Sequence, residues 1–199
     1  MKKRNILEEP TEKLVRQYVK KHNNKEKYRN EDEALAQLFK KFPKNEKMKD
    51  IILKVTVVNN MYNTNIFATY QMAEHIRSLD IDEKLRSKCP EVVEDIANLD
   101  AGGKKRRHYS FATKYCHNHD SENYPIYDKY VDKMLWEYHN NKKQNGFCRF
   151  HRNELKNYGR LKEILNNFRE YYGLTQFSLK EIDNFLWGYG KELFGTTMN

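Results

Sequence analysis

The chain has 199 residues, 37 Lys+Arg against 28 Asp+Glu and a formal charge of +9. That length carries one substantial domain or two small subdomains sharing a core, and the charge suits an anionic partner without choosing between nucleic acid and a membrane surface. No apolar run approaches the roughly 20 residues of a bilayer span, and the basic start MKKRNILEEP lacks the apolar stretch of a signal peptide, so the reading is a cytoplasmic protein with no membrane part; a monomer is the working expectation, with oligomeric state left open by the sequence.

The periodicity is helical nearly throughout, which gives an all-α fold. Leu14, Val15, Tyr18 and Val19 share one face of a segment that begins after Pro10. Ala34, Leu35, Leu38, Phe39 and Phe42 repeat the pattern before Pro43. Residues 48–58, MKDIILKVTVV, are β-branched enough for a strand, but no partner strand or hairpin signal flanks them, so a buried helix is expected. Ile66, Phe67, Tyr70, Ala73 and Ile76 mark the next helix, with Asn63 or Thr64 near its start. A short helix around Pro90 to Asn98 leads into the turn Asp-Ala-Gly-Gly. The helix after that turn runs to about Cys116. Another begins at Asp128 and carries Val131, Leu135 and Trp136, and residues 140–152 read as a basic loop turning at Asn145-Gly146. Leu155, Tyr158, Leu161, Leu165 and Phe168 form one stripe, and the last helix opens with the capping box Ser178-x-x-Glu181 and buries Ile182, Phe185 and Leu186. No repeat, linker or sheet is evident. The chain reads as one helical domain over 1–199, with a core of about 50–190 on which the N-terminal helices of 10–42 pack.

Three cysteines, Cys89, Cys116 and Cys148, are too few and too scattered for a disulfide framework. Cys116-x-x-His119 and Cys148-x-x-His151 have tolerable ligand spacing for zinc, but the usual CxxC or HxxxH pairs are missing. No metal or cofactor is expected.

The chemistry concentrates in residues 102–128, GGKKRRHYSFATKYCHNHDSENYPIYD. Gly102-Gly103 opens onto Lys104, Lys105, Arg106 and Arg107 at what reads as a helix start. Cations there oppose the helix macrodipole unless an anion such as phosphate answers them. The plain alternative is a solvated basic turn. Arg107, Phe111 and Lys114 follow at i, i+4 and i+7 and share a face suited to stacking a base and bonding its edge; the plain alternative is a core phenylalanine with a lysine lying along it. Asp128 reads as an N-cap whose carboxylate is aimed by Pro125-Ile-Tyr. Asp183 and Trp187 are i, i+4 partners on the last helix.

These residues, in this order, resemble the helix-hairpin-helix DNA glycosylase superfamily, and within it the archaeal-type 8-oxoguanine DNA glycosylase/AP lyases. The matching features are the Asn-rich helix ILKVTVVNNMYNTNIFATYQMAEHI, a glycine turn, F-x-x-K, P-x-x-D and a terminal D-x-x-x-W. The resemblance covers roughly residues 50 to 190. It implies two helical subdomains flanking a cleft, with DNA as partner and removal of a damaged purine by base flipping. Asp128 would be catalytic. Phe111, Lys114, Asp183, Trp187 and Asn59 would bind the base, and Gly102, Gly103, Lys104, Arg106 and Arg107 the DNA backbone. The family's Schiff-base lysine falls at Arg107, which stays protonated and is no nucleophile. The amine is then Lys105 (or Lys104) in a shifted register, or Lys114; otherwise Asp128 activates water. A protein that keeps the fold and binds DNA without chemistry is the competing expectation.

Overall fold

The structure is a computed structural model that describes residues 7–101, 103–140 and 147–195. Ten α-helices, one 3₁₀ turn and one two-stranded ribbon make up the described residues. The order is α1 (Glu12–Asn23), α2 (Glu26–Lys41), α3 (Met48–Tyr62), α4 (Thr69–Ser78), α5 (Asp82–Arg86), α6 (Glu91–Ala97), β1 (Asn98–Ala101), β2 (Lys104–Arg107), α7 (Tyr109–His119), α8 (Lys129–His139), the 3₁₀ turn Arg152–Lys156, α9 (Tyr158–Tyr171) and α10 (Leu179–Phe194). Among the described residues no helix is long and apolar enough to cross a membrane.

Local signals explain most boundaries. Thr11 caps α1, its hydroxyl accepting from Leu14 N at 3.3 Å. The Ser178–Glu181 box starts α10 with both reciprocal hydrogen bonds formed. In α3 the β-branched run is helical because Ile51, Val55 and Val58 fall at i, i+4 and i+7 and are all fully buried. Tertiary burial outweighs the β propensity of the run. One apolar core gathers side chains from every helix, with α1 packed on α10 and α2 on α3 and α7. Buried rings such as Phe111 and Phe168 each contribute roughly 3–5 kcal/mol to it.

Two expectations need correction. The segment after the glycine turn is not a helix start. Asn98–Ala101 and Lys104–Arg107 pair as an antiparallel ribbon in which Ala101 faces Lys104. That register leaves a two-residue connection at 102–103, and Gly103 has φ +80°, a conformation glycine adopts without a steric cost. Lys104, Lys105, Arg106 and Arg107 are therefore strand residues, and the macrodipole argument for an anion at their position lapses. The helix expected from Asn63 or Thr64 starts only at Thr69. Asn63 and Asn65 are left-handed (φ 50° and 58°), which breaks any earlier helix. The turn at Asn145-Gly146, with residues 141–146 of the basic loop, and Gly102 lie outside the described residues.

A buried lysine pins the α2–α3 connection. Lys54 is fully buried and donates to Lys44 O (3.0 Å) and Asn45 Oδ1 (2.7 Å). Burial lowers its pKa to about 8, against the pull of Asp82 and Asp50. Tyr115 OH also donates to Asn45 Oδ1, at 2.6 Å, so Asn45 joins this connection to α7.

Candidate active site

A cavity of about 300 Å³ lies between α2 on one side and α7, α10 and the segment 126–128 on the other. Its lining includes Lys114, Asp128, Asp183 and Trp187. These residues lie on three separate elements up to 73 positions apart in the chain, and the fold brings all four to one hollow. Volume and mixed lining are those of a small-ligand site.

Lys114 is 4% exposed. Its ammonium donates to Ser110 Oγ (2.6 Å) and Tyr127 O (3.3 Å) and lies 5.6 Å from the Tyr62 ring centroid. Burial lowers its pKa, while Asp128 and Asp183 pull it back up. Among the described residues it makes no ion pair within 4 Å, so the carboxylates tune its charge without occupying it.

The backbone leading to Asp128 is laced to α7 and α9. Tyr124 O meets His117 Nδ1 at 2.9 Å, Pro125 O accepts from Tyr158 OH at 3.1 Å, and Tyr127 N donates to Thr113 Oγ1 at 3.1 Å. Asp128 then caps α8, Oδ1 accepting from Tyr130 N at 2.8 Å. Capping uses one carboxylate oxygen. Among the described residues no partner holds Oδ2.

Asp183 projects from α10 one turn before Trp187. Its Oδ1 is shut off from solvent and has no hydrogen-bond partner. Burial first, then the Asp128 charge, raise its pKa to about 8, against the opposing pull of Lys114 and Lys180. At neutral pH it is a protonated acid that both donates and accepts. The folded pKa exceeds the unfolded one, so folding retains a proton between about pH 4 and 8 and stability is lost as pH rises through that window. Asp183→Asn should therefore gain stability relative to the native protein by a few kcal/mol between pH 5 and 8.5. Urea unfolding at several pH values checks this, and parallel curves would contradict it.

Sequence reading missed the opposite wall. His22 stacks on Tyr28 (5.2 Å, 29°), and Trp187 meets Tyr28 edge-on at 5.3 Å and 78°. Asp32 lies 3.5 Å from His22 Nε2 and 3.1 Å from Lys180 Nζ. Burial raises the Asp32 pKa, but His22 and Lys180 outweigh it and keep the group below the ordinary carboxylate value. On α1 and α2 the legible signal is the apolar stripe; these polar residues lie beside it and share no motif.

The remaining expected site residues lie elsewhere. Phe111 is 1% exposed, in the core against Tyr115, and does not line the cavity. Asn59 is consumed by its own loop, accepting from Thr64 Oγ1 and Ile66 N (both 2.8 Å) and donating to Ile66 O (3.0 Å). Arg107 does not share a helical face with Phe111 and Lys114. From β2 it pairs with Glu94 at 2.8 Å and donates to Lys156 O at 2.6 Å. Lys104, Lys105 and Arg106 are exposed on β2, and Gly103 caps the ribbon with its N–H donating to Asp100 Oδ1 at 2.9 Å. None of these ribbon residues lines the cavity. Cys116 is core, and among the described residues no three metal-ligating side chains converge.

The arrangement defines an all-α protein with several lysines and carboxyl groups, Lys114, Asp128 and Asp183 among them, around a cavity that Tyr28, Tyr62 and Trp187 also line. Residues 14–124 match the family HI_0787_N, an N-terminal domain, and the chain belongs to it. The chain is also 40% identical over 150 residues to an uncharacterized protein of Haemophilus influenzae, covering 75% of this chain and 70% of that one. No solved structure matches. The family match includes Lys114 and all of the α2 wall and stops before Asp128, Asp183 and Trp187.

Proposed function

We propose that this protein is a DNA base-excision glycosylase that takes a damaged purine such as 8-oxoguanine into the cavity and carries AP lyase activity through Lys114. The observation that supports this most is the convergence of Lys114, Asp128, Asp183 and Trp187 on one hollow. A flipped base fits between aromatic walls, with a neutral Asp183 meeting its edge. Lys114 loses its proton more readily than an exposed lysine, which favours the neutral amine. The amine attacks C1′ as the C1′–N bond breaks. The bonding pair leaves with the base, which takes a proton, and the sugar ring opens to an imine. Asp128 stabilises the positive charge developing on the sugar. The exposed cations Lys104, Lys105 and Arg106 serve the phosphate backbone.

The deciding experiment incubates the protein with duplex DNA carrying one 8-oxoguanine, with and without borohydride. A trapped covalent adduct is the expected result. Base release without trapping moves the mechanism to water activated by Asp128. Binding that falls steeply with salt and ignores the lesion, with no release, would replace this reading with a DNA-binding protein without chemistry.

A further inference from the structure

A second hollow, of about 510 Å³, adjoins the cavity of about 300 Å³. Apolar Ala36, Phe39 and Pro43 and polar Lys40, Asn118 and Ser121 line it. The two hollows share Asp32 of α2, Tyr62 at the end of α3, His117 of α7 and Lys180 of α10. Two of these shared residues are held in place. His117 is buried with Nδ1 at 2.9 Å from Tyr124 O, and Tyr62 OH accepts from Asn118 Nδ2 at 3.5 Å. The other two reach each other from different helices: Asp32 Oδ2 and Lys180 Nζ, 3.1 Å apart, join α2 to α10. Their side chains are 33% and 38% exposed, and an ion pair that open to solvent contributes little to a fold.

The helix that carries Lys180 does not account for it. The residue stands in the first turn of α10, where a cation opposes the macrodipole. Its counter-charge comes from Asp32 on another helix, at the place where the two hollows meet. With the pair closed, the smaller hollow suits a purine and little more. A purine with a bulky substituent runs into the pair and enters only by separating two opposite charges. Beyond the pair, Phe39 and Pro43 supply apolar surface against which an aromatic substituent packs.

We propose that the Asp32–Lys180 pair is the specificity-determining wall of the cavity: closed, it restricts the site to purines without bulky substituents, and opened, it joins the two hollows into one that also takes an aryl-substituted purine. The assignment rests on the cavity being the base-receiving site. Neither residue takes part in the chemistry, so selectivity should move while the reaction on a small lesion stays. Burial and Asp128 dominate the raised pKa of Asp183, and Asp32 and Lys180 act on it in opposite senses. Removing both together therefore leaves that acid nearly as it was.

The test compares the unaltered pair with Asp32→Ala/Lys180→Ala and with the exchange Asp32→Lys/Lys180→Asp, all in a Trp136→Phe background that leaves Trp187 as the one tryptophan. Free 8-oxoguanine and free O6-benzylguanine are read by quenching of Trp187, and duplexes carrying either base are read by base release. The unaltered pair should favour 8-oxoguanine over the benzylated base by roughly tenfold or more in both readouts. The double alanine variant should raise binding and release of the benzylated base roughly tenfold or more, with 8-oxoguanine within about threefold. The exchange re-forms the ion pair and should restore the selectivity. Melting temperatures of the two variants should stay close to that of the unaltered pair. A double variant with unchanged selectivity, an exchange that restores nothing, or a native pair that takes both bases alike overturns the wall while leaving excision of 8-oxoguanine standing. Pair-dependent selection between the free bases, with no release from either duplex, keeps the wall and sinks the glycosylase reading. No quenching by either free base overturns the wall.

Discussion

Lys114→Met should abolish the borohydride-trapped adduct and lower base release by about 10³-fold or more, the scale of losing a covalent nucleophile. The substitution keeps the length and apolar stem of the side chain in its buried niche, so the fold should hold. Ser110 Oγ retains its 3.3 Å bond to Tyr127 O after the ammonium is gone. Removing a buried charge also removes its desolvation cost, so the melting temperature should stay level or rise. Loss of trapping with intact melting isolates the amine as a chemical group. Persistent trapping would move the nucleophile elsewhere.

Lys105 and Lys104 provide the control. Both stand exposed on β2 and neither lines the cavity. As cations on a duplex backbone, each should weaken binding when changed to Met and reduce the salt slope by about 1 while trapping survives.

The difference between Lys114 and Lys105 shows what the sequence makes legible. Spacing alone could place Lys114 next to Phe111 on a helix, and order along the chain could align it with Asp128, Asp183 and Trp187. Spacing could not say which of the two helical neighbours faces the cavity, because Phe111 and Lys114 both read as buried-face positions, and packing against Tyr115 turns the phenylalanine inward. The ribbon had a signal that was outweighed. Gly102-Gly103 is a hairpin dipeptide, but Lys-Lys-Arg-Arg has little strand character. What holds β2 is tertiary: His108 N donates to Ala97 O at 2.7 Å and Arg107 reaches Glu94 and Lys156. Phe67 was misread for a related reason. It fits a helical stripe with Tyr70, yet the left-handed Asn63 and Asn65 end any helix before it. The His22–Asp32–Lys180 chain was invisible because it joins three helices with no local pattern in any of them.

Asp128→Asn separates the two roles of this carboxylate. Asparagine caps a helix about as well as aspartate, and the bond used is a single acceptance from Tyr130 N through Oδ1. Stability should therefore change by no more than about 0.5 kcal/mol, and DNA binding should be nearly intact. Excision should nevertheless be abolished, a loss of roughly 10³-fold, since a neutral amide no longer opposes positive charge forming on the sugar in a partly dry cavity. The same change removes a negative neighbour from Asp183 and from Lys114. Asp183 should then ionise at lower pH, and the Lys114 ammonium, losing a negative charge that favours it, should lose its proton at lower pH as well. A variant with more neutral amine and yet no excision would show that Asp128 acts on the sugar directly. If excision instead persists near the native rate while melting and binding are unchanged, Asp128 is an N-cap alone and the catalytic assignment falls.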